Sequence, residues 1–193
     1  MTRQAETPTL MMRLRAETRL AHEAIDGALD LESSLASPFA YRELLARFYA
    51  FHAGWEPVLA PLIHDDDFFE PRRKLGLLAA DLAHLGLVQE QITALPPQPP
   101  ATPMTTTSQA LGAMYVLEGS TLGGQLISRQ VADRLGFGAE DGAAYYNAYG
   151  RAVGAMWRAF GQRMSQAAPD LDSEAVVAAA ETTFAELQAC LVR

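Results

Sequence analysis

Apolar positions recur every three to four residues along most of the chain, the period of a helix buried along one face. Thr9 can cap a helix through its hydroxyl, and Leu10, Leu14, Ala21, Ile25 and Ala28 predict a first helix behind it. The polar residues 1–8 are expected to fray as a disordered tail, leaving 9–193 as one domain. Asp30 to Ser37 breaks the period, after which Ser37-Pro38 reads as N-cap and first helical position. Leu44, Leu45, Phe48, Phe51, Trp55 and Leu59 carry a second helix, expected to end between Pro57 and Pro61. His64-Asp65-Asp66-Asp67 predicts a solvated loop, and a third helix is expected from about Arg72 to Leu85, stopped by Gly86. Leu95 to Pro103 holds five of the 11 prolines and predicts an extended connector. Beyond it, helices are expected over Thr107–Leu135, over Asp141–Ala167, and from an N-cap at Asp172 through Val176, Phe184, Leu187 and Leu191. Strand alternation and internal repeats are absent from the sequence, so the expected fold is all-α and single-domain.

The fourth long pattern contains an anomaly. Within Tyr115–Arg129, read YVLEGSTLGGQLISR, stand Gly119, Gly123 and Gly124. Three glycines in a helix interior cost roughly 3 kcal/mol relative to alanine. A helix carries that cost where something lies against bare backbone, or where it bends. Gly119 and Gly123 are four apart, as are Ser120 and Gly124, so one side is stripped of bulk. Something flat belongs there, with Ser120 as the polar handle.

The totals narrow the chemistry. A formal charge of -8 in 193 residues argues against nucleic acid as the partner. Fourteen of the 15 basic residues are Arg, which suits fixed, bidentate contacts to carboxylates. The single Cys190 excludes an intramolecular disulfide and a cysteine metal cluster. Leu10-Met11-Met12 is too short for a signal-peptide core, and no window suits a membrane span, so a reducing cytoplasm is expected.

Of the four histidines, His22 stands out. On a helical wheel it lies at the shoulder of the first apolar stripe, with Arg15 seven residues before and Asp26 four after. Asp26 can orient one imidazole nitrogen while the other turns inward, the arrangement metal-bound histidines use. Arg15 on the same flank can hold an anion. A solvated ladder of Arg15, Arg19, His22 and Asp26 explains the spacing as well, and spacing alone favours the ladder. Other chemistries lack parts. A di-iron bundle needs two Glu-x-x-His pairs, GSTLGGQ lacks the Lys and strand of a phosphate loop, and no zinc spacing or nucleophile elbow occurs. One axial-type histidine, a glycine-stripped helix and spaced arginines suit a planar metal macrocycle with acidic side arms.

Those residues resemble the heme oxygenase family. Arg15-x6-His22-x3-Asp26 resembles its proximal helix, and YVLEGSTLGGQLI its distal helix, kinked at glycines over the heme. FFEPRRKLGLLAADLAHLG (68–86) and AETTFAELQ (180–188) are similar to two further family segments. The Glu-Gly-Ser-x-Leu-Gly-Gly form resembles the bacterial branch that includes suppliers of biliverdin to bacteriophytochromes. The resemblance implies His22 as iron ligand, Asp26 as its hydrogen-bond partner, and Gly119, Gly123 and Gly124 as distal glycines. Ser120 stands where mammalian members carry an Asp. His52 falls where a distal tyrosine is common and is expected to help hold water, a buried core histidine being the other reading. Met114 and Tyr115 are expected to line the heme, and Arg15, Arg158 and Arg163 to meet its propionates. The implied reaction cleaves heme b, with O2 and electrons from a ferredoxin or reductase, to biliverdin, carbon monoxide and ferrous iron. A non-degrading heme carrier or sensor is the alternative, and a related bundle binding another small molecule, such as a thiamin-pathway enzyme, is a third.

Overall fold

The computed structural model describes residues 8–192, so residues 1–7 of the expected tail, and Arg193, lie outside the described residues. The chain is helical and, among the described residues, has no strand. In order come α1 (Leu10–Glu17), α2 (Arg19–Ala28), α3 (Leu31–Ser34), α4 (Pro38–Ile63), α5 (Asp66–Phe69), α6 (Leu75–His84), α7 (Gln89–Thr93), α8 (Thr107–Leu135), α9 (Val153–Ala167) and α10 (Ser173–Leu191). Short 3-10 turns precede α6, α9 and α10. Helix α10 packs against α8, α2, α4 and α1, and the core forms where α4, α8 and α10 meet.

Several caps fall where residue chemistry places them. Thr9, Ser37, Thr106 and Asp172 each accept a backbone N–H with the side chain, and Pro38 opens α4. Gly136 closes α8 at φ 76°, a left-handed position that glycine adopts without strain.

Five expectations need correction, the shortest being the 64–67 loop, in which Asp65 caps α5 and Asp66 and Asp67 open it. The first helix is two: Thr18, at φ -88° and ψ 2°, leaves helical backbone between Glu17 and Arg19, and its hydroxyl donates to the Leu14 carbonyl at 2.7 Å. Helix α4 does not end near its prolines but runs to Ile63. Pro57 and Pro61 both sit on the exposed side, where the rings find room and the unpaired carbonyls meet water. The third helix starts at Leu75, since Glu70–Arg72 forms a 3-10 turn. Residues 141–152 are turns, not the first half of a helix. There the buried Asp81 accepts the N–H groups of Ala144 and Tyr145 at 2.8 and 2.9 Å, and Tyr41 donates to the Gly142 carbonyl at 3.0 Å. These tertiary bonds override the aromatic periodicity that read as helix. Burial pushes the Asp81 carboxyl up, opposed by those two donors.

The connector does lie extended, and Gln98 N–H donates to the Ala50 carbonyl of α4 at 2.8 Å. Gly54 permits that approach, because a Cβ there would lie 2.2 Å from Gln98. Gly112 likewise lets α8 meet α10, since its Cβ would lie 2.1 Å from the Val176 carbonyl oxygen. Gly112→Ala is therefore expected to lower stability by about 3 kcal/mol, the upper end for inserting a methyl into packed structure. Urea denaturation reads this directly, and an unchanged midpoint would contradict the close approach.

Candidate functional site

Helices α1 and α2 share an origin in one sequence pattern but differ in how they are held. Leu10 and Leu14 are buried, and Arg13 ties α1 to α10 through Ser173 Oγ at 3.0 Å and Glu174 at 2.8 Å. Helix α2 is amphipathic, yet none of its residues is fully buried. Ala21 and Ile25 touch the core, whereas Leu20 is 67% exposed. The protein itself leaves part of this apolar side uncovered, which is unusual for a helix of such patterning.

His22 stands on that uncovered helix. Its Nδ1 lies 3.0 Å from Asp26 Oδ2, and its ring meets Phe184 of α10 edge-on at 5.8 Å. Nδ1–H donating to the carboxylate leaves the Nε2 lone pair available, and the side chain is 59% exposed. The spacing of 22 and 26 thus becomes a paired imidazole with the Phe184 ring edge-on to it, beside an Arg19–Glu23 pair on the same helix.

On α8 the three glycines separate. A Cβ at Gly123 would meet nothing within 4 Å, and one at Gly119 would only touch the Trp157 ring at 3.7 Å. Gly124 points elsewhere: its Cβ would lie 3.0 Å from the Tyr146 carbonyl oxygen, so this glycine serves packing. Leu122 and Leu126, 45% and 62% exposed, complete an open stripe with Gly119 and Gly123 at 119, 122, 123 and 126. The pair of exposed leucines escaped the sequence reading, although their i, i+3, i+4, i+7 spacing was visible. Helical structure is continuous from Thr107 to Leu135 through the glycines. The hydroxyls of Ser120 and Thr121 donate back to Leu117 and Glu118 carbonyls at 2.8 and 2.6 Å, contacts that favour bending. Ser120 is exposed.

The remaining candidates distribute unevenly. Tyr115 is half-buried beside Trp157, ring centres 5.7 Å apart, and its phenol lies near Thr18 and Arg15. Burial raises that phenol's pKa, with Thr18 and Arg15 opposing. Met114 is buried in the core instead of lining an open surface. Arg15 and Arg158 are exposed and make no ion pair among the described residues. Arg158 lines a cleft of about 430 Å³ along α9 with Gly161, Gln162 and Ser165. A second cleft, of about 440 Å³, lies between Ala28–Ser34, the start of α4 and Val192. Neither is lined by His22 or by the α8 glycines. Arg163 points to Asp65 at 3.8 Å and to the Phe68 ring, so its charge already has partners. His52 is buried, with Nδ1 3.2 Å from Glu56 Oε1 and its ring edge-on to Tyr145.

Sequence reading missed what surrounds His52. Glu56 accepts the N–H groups of Lys74 and Leu75 at 2.7 and 3.0 Å. Burial pushes the Glu56 carboxyl up, but His52 and those donors outweigh it, and the net direction is down. Nearby, Glu118 of α8 accepts from the Tyr149 hydroxyl at 2.7 Å and faces Arg72 at 3.2 Å and Lys74 at 3.5 Å. Helical periodicity alone gives no sign of the long-range partners, which lie 18 residues away for Glu56 and Lys74 and 31 for Glu118 and Tyr149.

An oriented imidazole with a free Nε2, an uncovered apolar stripe with room for a flat group, and unpaired arginines fit a metalloporphyrin. The comparisons agree. A family model described as heme oxygenase matches residues 8–191. A heme oxygenase of Xanthomonas campestris pv. campestris (strain 8004) is 31% identical over 160 residues, covering 78% of this chain and 88% of that protein. The NO- and CO-bound heme oxygenase of Neisseria meningitidis superposes with a TM-score of 0.76 at 22% identity, over 96% of this chain and 91% of that one. The heme complex of heme oxygenase-1 from the cyanobacterium Synechocystis sp. PCC6803 gives 0.71 at 16% identity, over 95% and 91%. With a family model matched over residues 8–191, a 31% identical relative covered over most of its length, and the fold of those solved structures, the chain belongs to the heme oxygenase family.

Proposed function

We propose that this protein cleaves heme b oxidatively to biliverdin, carbon monoxide and ferrous iron, using O2 and electrons from a ferredoxin or a reductase. The observation that carries the reading is His22, exposed on a partly uncovered helix with Nδ1 held by Asp26 at 3.0 Å. Heme is both cofactor and substrate here, its iron activating O2 and its own ring being cut.

His22 Nε2 would hold the heme iron. Asp26 keeps the proton on Nδ1 and raises the basicity of the opposite nitrogen. A neutral imidazole suits this chemistry better than a thiolate, which drives O–O cleavage towards P450-type oxidation. Gly119 and Gly123 offer backbone without side chains, which would leave room for O2 beside a bound heme. Leu122 and Leu126 lose water contact when a porphyrin covers them, which favours uptake by about 25 cal/mol for each Å² removed. Arg15 and Arg158 are the free cations for the propionates, whereas Arg163 is occupied by Asp65. Ser120 has its hydroxyl turned to the Leu117 carbonyl, so its oxygen can still accept from water near the glycines. The product passes to a biliverdin acceptor such as a bacteriophytochrome, in the cytoplasm. Among the described residues, no helix is long and apolar enough to cross a membrane.

Titration with hemin is the first test, with a Soret band saturating at one equivalent as the expected result. Adding ascorbate or a ferredoxin–reductase pair should then bleach that band as biliverdin absorption grows. A stable Soret band under reduction indicates a carrier, and no band at all removes heme from the account.

A further inference from the structure

The open stripe on α8 poses a mechanical problem. Helices are usually held against rotation by side chains wedged into neighbouring grooves, and Gly119 and Gly123 provide none on their own side. Elsewhere around α8, Met114, Val116 and Val131 are buried in the core, and immediately beside the glycines the grip is polar. Glu118, immediately before Gly119, is buried and is gripped from three directions. Tyr149, in the turn leading into α9, donates its hydroxyl to Oε1 at 2.7 Å. Arg72 Nε lies 3.2 Å from Oε2, an ion pair without hydrogen-bond alignment, and Lys74 Nζ lies 3.5 Å from Oε1. Those partners are themselves immobilised. Lys74 Nζ donates to the Arg72 carbonyl at 2.6 Å and to Tyr149 at 2.7 Å, and Arg72 donates to the Phe68 carbonyl at 2.6 Å while its guanidinium covers the Phe68 ring. Burial pushes the Lys74 ammonium down, and the Glu118 and Glu56 charges oppose it, as they do in a cluster whose charges depend on each other.

We infer that Glu118 is a positioning residue: clamped by Tyr149, Arg72 and Lys74, it fixes the rotation of α8 that turns Gly119 and Gly123 outwards. At about 100° per residue, those two glycines lie about 100° and 140° around the axis from Glu118, so a turn of the clamp swings them directly. Backbone carbonyls add to the coupling, because the Thr121 hydroxyl is bound to the Glu118 carbonyl within the same turn. The clamp has no reach to the open side, so it acts through helix orientation and not by touching a ligand. A buried charge cluster is a costly way to hold a helix, and orientation is a benefit that plain apolar packing against a bare stripe cannot supply. This role rests on the heme-cleaving reading for its consequence, but not for its physical effect.

Two variants separate clamp from general stability. Glu118→Gln keeps the shape and an acceptor for Tyr149 but removes the charge, and Tyr149→Phe removes one hydroxyl. Hydrogen exchange of the ligand-free variants, followed by mass spectrometry, should show exchange across 115–126 rising at least tenfold while α4 and α10 keep their protection. In the hemin complex, affinity should stay within about threefold of the parent while turnover falls and the biliverdin isomers become mixed. Uniformly faster exchange in all helices, or unchanged exchange across 115–126, overturns the clamp. If the parent protein binds no hemin, the heme reading fails, and the exchange result still decides the clamp. Should both substitutions prevent folding, Lys74→Met combined with Glu118→Gln leaves no net buried charge from that pair and serves as the third variant. Parent-like exchange there also counts against the clamp.

Discussion

Replacing His22 with alanine is expected to abolish turnover and remove the axial-ligand signature from the hemin complex. The imidazole is the candidate nitrogen donor on the open side of α2, and its loss leaves only the carboxylates Glu23 and Asp26 among that helix's possible iron ligands. The fold should survive, since His22 is largely exposed and, among the described residues, its one aromatic contact is Phe184. Its orienting partner sets a scale for the effect: removing such a carboxylate lowers metal affinity or activity by about 10–100-fold, so Asp26→Asn belongs in that range and His22→Ala beyond it. Resonance Raman of the ferrous hemin complex reads the iron–histidine stretch, and exogenous imidazole should restore it in His22→Ala. An intact stretch in the variant would move the ligand elsewhere, and His52 is then the residue to replace next.

Gly123→Val should uncouple binding from chemistry. A Cβ at Gly123 meets open space, and valine has a somewhat better helix propensity than glycine, so the apo protein should keep or slightly raise its melting temperature. The same branch projects from the stripe where a flat group and O2 would have to sit. Hemin uptake is expected to survive in part, whereas turnover falls about 100-fold, the scale on which a displacement near 1 Å acts. Single-turnover spectroscopy after reduction separates the two steps. Parent-like turnover would mean the reacting face of α8 lies elsewhere. Gly112→Ala provides the contrast, because there the added methyl meets the Val176 carbonyl and the damage is to folding.

These glycines show how far the sequence could be read. Gly112, Gly119, Gly123 and Gly124 look alike on paper, each costing helix propensity. The structure gives them different neighbours: a carbonyl of α10, the edge of Trp157, open space, and a carbonyl of the 141–152 turn. His22 and Asp26 were legible as a pair because a helix places residues four apart side by side, and local geometry needs no other segment. Arg163 and Arg158 were equal candidates by position, but only Arg163 found Asp65 at the end of α4. His52 carried one of two meanings until Glu56, Lys74 and Tyr145 surrounded it.

Helix periodicity, capping residues and the proline-rich connector, all set by interactions within a few positions, determined the all-α architecture and most boundaries of the long helices α4, α8, α9 and α10. The glycine cluster and the His22–Asp26 spacing determined where to look for a site. Tertiary structure alone decided that residues 141–152 leave the helical path to satisfy Asp81, that α2 keeps an uncovered side, and that Glu118 lies buried among Tyr149, Arg72 and Lys74. The reason is range: a backbone hydrogen bond or a cap is written within one turn of chain, whereas a buried charge acquires its partners only when distant segments close around it.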